Sequence, residues 1–253
     1  MFDLNNIYLG DCLNLMSKIP DGTIDLIICD GPYNSTNHEW DQILNIQEYN
    51  LNLIKIFSRI LKTGGVAYIF GKSSAFDFID YRPFLQLNSR ILWYQPSRLS
   101  QGRKNYTNNY DLIGYFSKNN AKTFNLNDIR VSQMVGVEHR KRCENVPSVL
   151  NGKWRKTKFN ELGKNPGNVW NDIKQLTYKS KELISRDLLN TIQKPILLMN
   201  RLIKASSNIN DLILVPFVGV GTECLSARNL NRQFIGFEKE EKYFNIAKKR
   251  LIL

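Results

Sequence analysis

Along most of the chain, short unbroken apolar runs alternate with stretches in which apolar residues recur every three or four positions. Ile24-Asp25-Leu26-Ile27-Ile28-Cys29 and Val66-Ala67-Tyr68-Ile69-Phe70 are runs of the first kind, bounded by turn residues. Such runs suit strands buried on both faces. Residues 7–9, 90–94, 112–116, 212–215 and 233–237 read as further strands. Helical spacing marks 11–18, 43–61, 183–206, 222–229 and 240–251. The second of these stops before Thr63-Gly64-Gly65, and the third is interrupted near Gln193-Lys194-Pro195. The alternation predicts an α/β fold, a mixed and mainly parallel sheet of seven strands with helices on both faces. It lapses between about 119 and 180, a polar stretch rich in Asn, so the chain divides into 1–118, 119–180 and 181–253.

With 253 residues, 42% of them hydrophobic, the chain can build one large α/β domain carrying an insertion. No apolar run approaches the length of a membrane span. Residues 1–6 lack the basic start and apolar stretch of a signal peptide, so a cytoplasmic location off the membrane is expected. Cysteines stand at 12, 29, 143 and 224, and histidines only at 38 and 139; that spacing offers neither a zinc site nor a disulfide framework, and no metal is expected. The formal charge is +12, and the 119–180 segment holds twelve Lys or Arg against five Asp or Glu. A basic excess concentrated in one segment points to a polyanionic partner, although a solvated basic face has the same composition.

Two segments carry candidate chemistry. The first, residues 212–222, is a strand, then Phe217-Val218-Gly219-Val220-Gly221, then a helix start at Thr222. Glycines there let a backbone approach a ligand closely and leave helix-start N–H groups to bind it. Glu238 ends the next strand, 19 residues after Gly219, where a carboxylate can accept both hydroxyls of a ribose. Cys224 stands where the dinucleotide fingerprint has its third glycine, so an adenosine cofactor without pyrophosphate fits better than NAD. The second segment, Asp30-Gly31-Pro32-Tyr33, follows a buried strand. It offers a carboxylate and a carbonyl for the two hydrogens of an amino group, and an aromatic face for the ring that bears it. Each segment alone is also an ordinary turn.

Together they resemble the amino-methyltransferases that act on DNA, whose catalytic tetrapeptide is Asp-Pro-Pro-Tyr and whose cofactor turn is Phe-x-Gly-x-Gly. Gly10-Asp11-Cys12-Leu13, Ile19-Pro20-Asp21, Glu39-Trp40-Asp41, Leu61-Lys62-Thr63-Gly64-Gly65, Gln193-Lys194-Pro195 and Phe234-Ile235-Gly236-Phe237-Glu238 extend the match over most of the chain. Catalytic loop first, variable segment second and cofactor turn last is the order of the β group, a circular permutation of the Rossmann-like methyltransferase sheet. The resemblance implies transfer of a methyl group from S-adenosylmethionine to N6 of adenine in double-stranded DNA. N4 of cytosine is the nearest rival, since enzymes acting there usually begin the tetrapeptide with Ser. A catalytically inactive DNA-binding relative is another. Relatives that methylate RNA or protein glutamine place the glycine turn before the catalytic loop.

By the same resemblance, Asp30, Gly31, Pro32 and Tyr33 are catalytic. Asp11, Cys12, Asp30, Lys194, Phe217, Gly219, Gly221, Thr222 and Glu238 bind the cofactor, with Asp11 at the adenine and Glu238 at the ribose. Residues 1–118 and 181–253 become the catalytic and cofactor halves of one core, and 119–180 the target-recognition region. Within that region Arg140, Lys141, Arg142, Arg155 and Lys156 are candidate DNA contacts. The family also admits a cognate restriction endonuclease and a second copy of the chain as partners. Gly31 departs from the first proline of the tetrapeptide, Val215 from the Asp that opens the cofactor motif, and Val220 from a small polar residue.

Overall fold

The structure is a computed structural model that describes residues 2–34, 38–71, 80–96, 104, 106–120, 122–133, 148–150, 153–155, 159–185 and 193–252. The main sheet contains β1 (Asn6–Leu9), β2 (Ile24–Cys29), β3 (Leu61–Gly71), β4 (Gln86–Tyr94), β5 (Tyr110–Ser117), β8 (Val169–Trp170), β9 (Leu212–Val215) and β10 (Gln233–Glu238). A separate antiparallel hairpin pairs β6 (Ser148–Leu150) with β7 (Lys153–Arg155). The helices are α1 (Cys12–Met16), α2 (Ile46–Ile60), α3 (Ile196–Ser206), α4 (Thr222–Asn229) and α5 (Glu241–Leu251).

The apolar runs become central strands because each of their faces meets its own helix layer. Along β2, Leu26 and Ile28 point into a core with α3, α4 and α5, through Leu198, Leu202, Ala227, Ala247 and Leu251. Ile24, Ile27 and Cys29 point the other way, onto Met16 of α1 and Leu53, Phe57 and Ile60 of α2. Strand β9 divides in the same way, Ile213 and Val215 against Leu212 and Leu214. Side chains alternate across a strand, so unbroken hydrophobicity is what a two-sided core requires.

The strand order is β1-β10-β9-β2-β3-β5-β4-β8. From β1 to β3 every pairing is parallel; β5 is antiparallel to both β3 and β4, and β8 is parallel to β4. The last part of the chain therefore slots β9 and β10 between β1 and β2, which is how a permuted order still closes one sheet.

Two expectations need correction. The sheet has eight strands, not seven, because Val169-Trp170 of the middle segment pairs with β4 at the edge. Leu92 N–H donates to the Asn168 carbonyl at 2.7 Å and Asn168 Nδ2 to the Arg90 carbonyl at 3.0 Å, while Trp170 buries its ring and lies under the Arg201 guanidinium. Helix α3 begins at Ile196, with Pro195 as its cap, just after the expected break, but residues 183–185 ahead of it are not helical as expected, and 186–192 lie outside the described residues. Proline has no N–H to donate and suits a helix start. Residues 181–185 are not helical, and Gln193 Nε2 instead donates to the Glu182 carbonyl at 2.6 Å.

The middle segment has a narrow base. Val131 and Lys164 exchange both backbone hydrogen bonds, at 3.0 and 2.8 Å, and Arg130 Nη1 donates to the Gly163 carbonyl at 2.9 Å. Gly163, at φ +101°, lies so close that a Cβ there would sit 2.2 Å from the Val131 oxygen. No helix among the described residues is long and apolar enough to cross a membrane.

Candidate active site

Four adjacent parallel strands deliver the candidate residues to one edge of the sheet. In sheet order, Asp11 follows β1, Glu238 ends β10, Phe217 to Gly221 follow β9, and Asp30 to Tyr33 follow β2. Parallel strands point their carboxyl ends the same way, and open α/β sheets bind ligands there. The catalytic loop and the glycine turn thus leave neighbouring strands, paired through Leu26–Ile213 and Ile27–Leu214. They also touch: a Cβ on Gly31 would lie 2.9 Å from Phe217 Cε2. Glycine in place of proline leaves that ring its room.

The glycine turn is fixed by its neighbours. Val218 N–H donates to the Phe237 carbonyl at 2.9 Å and Gly221 N–H to the Val218 carbonyl at 2.8 Å. Gly219 and Gly221 adopt φ +52° and +82°, a region that disfavours other residues. Gly219 N–H donates to Glu238 Oε2 at 2.7 Å and Glu240 N–H to Oε1 at 2.8 Å. Burial raises the Glu238 pKa, opposed by these same N–H groups. The Thr222 hydroxyl accepts from Arg250 Nη1 of α5 at 2.9 Å, and the same Nη1 donates to the Val220 carbonyl of the turn at 3.1 Å. Val215 is wholly buried in the apolar layer beneath α3, α4 and α5, a place that suits valine and would strand a carboxylate.

With the ribose-binding role that the resemblance implies, Glu238→Ala is expected to weaken cofactor binding by about 1.5–3 kcal/mol, the worth of charge-assisted hydrogen bonds to hydroxyls. Calorimetric titration with S-adenosylhomocysteine measures it. An unchanged affinity removes Glu238 from the site.

At the other end of the row, Asp30 is held from both sides. Its Oδ1 accepts from the Tyr33 hydroxyl and its Oδ2 from Lys194 Nζ, with Asp30 and Lys194 side chains only 11% and 12% exposed. Burial alone would lower the Lys194 pKa, but the Asp30 carboxylate beside it, helped by Asp111 and Glu223, carries it above the ordinary lysine value. Burial first, then the Asp30 charge, raises the Tyr33 phenol well above its usual range. Lys194 Nζ lies 6.0 Å from the Tyr33 ring centroid and 5.5 Å from that of Phe70. Pro32 is buried.

Asp11 caps α1, its Oδ1 accepting from Leu13 N–H at 3.0 Å and Asn14 N–H at 3.2 Å. Gly10 N–H donates to the Glu238 carbonyl at 2.8 Å, which brings Asp11 beside the β10 end. Cys12 is buried with its Sγ 3.6 Å from the Tyr49 hydroxyl, and burial pushes its thiol up to about 12. Arg140, Lys141, Arg142 and Lys156 lie outside the described residues; Arg155 closes the β6–β7 hairpin by backbone pairing with Ser148.

Three acidic residues assigned no site role from the sequence belong to this neighbourhood. Asp41 accepts from the backbone of the catalytic loop. Asp111 accepts from Gln95 Nε2 at 2.5 Å and raises the pKa of both Tyr33 and Lys194. Glu223, 5% exposed in the first turn of α4, is raised to about 7, chiefly by burial and then by the Asp30 charge. Glu223 stands four residues before buried Ala227, so helical spacing alone places it on the inner face. Asp41 and Asp111 reach the site through tertiary contact; the Glu39-Trp40-Asp41 match marked Asp41 without giving it a role. Among the described residues no group of His, Cys, Asp and Glu is arranged to hold a metal ion.

A DNA methylase family model matches residues 24–249. The type II methyltransferase M.BglII of Bacillus subtilis is 31% identical over 259 residues, covering 96% of this chain and 68% of that protein. The DNA adenine methyltransferase YhdJ of Escherichia coli (strain K12) is 32% identical over 263 residues, covering 98% and 83%. The crystal structure of the M1.HpyAVI–SAM complex aligns with a TM-score of 0.65 at 22% identity, covering 98% of this chain and 99% of that one. The cytosine-N4-specific PvuII DNA methyltransferase aligns at 0.67 with 16% identity, covering 97% and 85%. At those identities the structural likeness speaks for the fold.

Proposed function

The chain belongs to the N6/N4 DNA methylase family and uses S-adenosylmethionine, and from that premise we propose that it methylates N6 of adenine in a base turned out of duplex DNA. The observation that carries this reading is Asp30. It is a largely covered carboxylate at the end of β2, beside the glycine turn, and it already receives a donor on each oxygen. The resemblance associates Asp at this position with adenine, and YhdJ, similar along nearly the whole chain, is named as an adenine enzyme.

The residues fit the cofactor. A glycine turn with two positive φ values leaves an open backbone, and Glu238 places a buried carboxylate against it. When bound, S-adenosylmethionine supplies an electrophilic methyl group on a sulfonium. Glu238 would accept from the ribose hydroxyls and Asp11 from the adenine amino group, and Phe217 to Gly221 would line the rest, with Lys194 close by. Asp30 and the Gly31 carbonyl receive the two hydrogens of the target amine. The arriving amine takes the place of one donor now on Asp30. These acceptors localise the nitrogen lone pair and stabilise the positive charge that grows on it, without reorganising at the moment of reaction. A site that holds the base beside the cofactor's methyl group would supply the proximity term. The base must leave the stack to reach this edge, and the Tyr33 face holds it there, where stacking is worth about 1–3 kcal/mol.

Residues 1–118 and 181–253 make up the two halves of this core, Val169–Trp170 adds an edge strand to it, and the rest of 119–180 reads the target. Reversing the charges of Arg140, Lys141 and Arg142, or of Arg155 and Lys156, is expected to weaken DNA binding. Each lost phosphate contact lowers the logarithmic salt slope by about 0.9. If neither variant changes the slope, the basic excess is a solvated face.

The deciding experiment is tritium transfer from labelled cofactor to unmethylated DNA, followed by nucleoside analysis. Labelled N6-methyldeoxyadenosine is expected. Labelled N4-methyldeoxycytidine overturns the choice of base. Tight cofactor and DNA binding without transfer marks an inactive relative.

A further inference from the structure

We infer that Asp41 is a positioning residue for methyl transfer: its carboxylate fixes the backbone at Tyr33 and Asn34 and thereby sets where Tyr33 meets Asp30. The inference rests on the reading of Asp30 to Tyr33 as the catalytic loop, and gives a role to a residue outside it.

Asp41 Oδ1 accepts from Tyr33 N–H at 2.5 Å and from Asn34 N–H at 2.9 Å. The residue is 1% exposed, so its carboxylate is committed to partners inside the protein. A capping role for its own turn does not account for this geometry. The short 3-10 helix Glu39–Asp41 closes through backbone bonds, Asp41 N–H to the His38 carbonyl at 2.9 Å and Gln42 N–H to the Glu39 carbonyl at 3.1 Å. The side chain reaches back to the loop instead.

A second tie lies beside the first. Asn34, at φ +52°, donates from Nδ2 to the Ile43 carbonyl at 2.6 Å and accepts on Oδ1 from Ile43 N–H at 2.7 Å. Asn tolerates the left-handed region that this closure needs. The loop's exit is therefore clamped to residues 41 and 43. Its entrance is softer, because Gly31 stands where the family has proline. Rigidity lost at one end is restored at the other. The chain of contacts runs from Asp41 to the Tyr33 backbone, and from the Tyr33 hydroxyl to Asp30 Oδ1. An error of about 1 Å in such a constellation can cost about 10² in rate.

The test compares wild type, D41A and D41N by two readouts. Hydrogen–deuterium exchange on the unliganded protein reports the latch directly. Protection at Tyr33 and Asn34 is expected to fall at least about tenfold in D41A while α2 and β3 keep theirs. D41N, which retains an Oδ1 acceptor, keeps most of the protection. Single-turnover transfer to unmethylated DNA, per folded molecule, is expected to fall about 10²-fold in D41A and to recover to within about tenfold of wild type in D41N. S-adenosylhomocysteine affinity should stay within about twofold in both, a split that general unfolding does not produce. Unchanged exchange at 33 and 34 in D41A, a wild-type rate in D41A, or a D41N rate as low as that of D41A each overturns the inference. If wild type transfers no methyl group at all, the activity reading fails, and exchange still decides whether Asp41 holds the loop.

Discussion

Asp30→Ala is expected to slow single-turnover methyl transfer by about 10²–10³-fold while leaving S-adenosylhomocysteine binding largely intact. The magnitude follows removal of one preorganised hydrogen-bonding group from a reacting centre. The selectivity follows from timing. Charge on the target nitrogen grows only toward the transition state, so losing its acceptor strikes the chemical step rather than ground-state binding. The ion pair with Lys194 adds a second consequence. Without Asp30 the buried ammonium loses its partner, which is destabilising in itself. Rates must therefore be read per folded molecule, with the thermal midpoint measured on the same samples. Asp30→Asn keeps an acceptor oxygen and should retain partial activity; Asp30→Ser probes the cytosine rival, whose tetrapeptide manages with a hydroxyl. An alanine variant with a near-wild-type rate after that correction would refute the assignment.

Gly236→Ala should have the largest effect on stability of any single methyl group added near the site. A Cβ there would lie 2.5 Å from Val218 Cγ2, 2.8 Å from Ile7 Cγ2 and 3.1 Å from Cys224 Sγ. These neighbours come from the glycine turn, β1 and α4, and all are buried. Overpacking of this kind costs about 1–3 kcal/mol. For a chain of this size that corresponds to a fall of about 2–12 °C in thermal midpoint. The binding consequence is more specific. Relief requires Val218 to move, and Val218 N–H is bonded to the Phe237 carbonyl, next to Glu238. Calorimetry should show cofactor affinity falling further than the folded fraction explains. An unchanged midpoint would mean that the turn and β10 are packed more loosely than their contacts indicate.

The central strands were legible in the sequence because they follow from burial, and the resemblance to a permuted sheet implied that both motifs belong to one core. β2 and β9 are apolar on both faces, and parallel strands carry the loops that follow them to a common edge. β8 was not legible. Two residues have no period, and the pairing is decided by Trp170 entering the core and by Asn168 bonding to β4. The break at Gln193-Lys194-Pro195 was legible because proline suits a helix start, whereas 183–185 were read as helical from apolar spacing and are instead tied to Gln193 through the Ile184 N–H. At the site, Tyr33 was read for its ring; that its hydroxyl rests on Asp30 depends on the loop's path. The Lys194–Asp30 pair joins residues 164 apart in the chain, and no local pattern announces such a contact.

The narrow base at Val131 and Lys164 bears on how such a chain can change its target. Two strands of backbone tied to each other, with Gly163 filling the gap, fix the distance between the ends of everything from 132 to 163. The entropy of closing a loop rises only slowly with its length, by about 0.6 kcal/mol per doubling. Lengthening, shortening or exchanging the enclosed chain therefore costs the catalytic sheet little. On the proposed reading of the enclosed chain as the target-recognition region, the neck is a socket: a different reading head can be fitted into it while the sheet beneath keeps its shape.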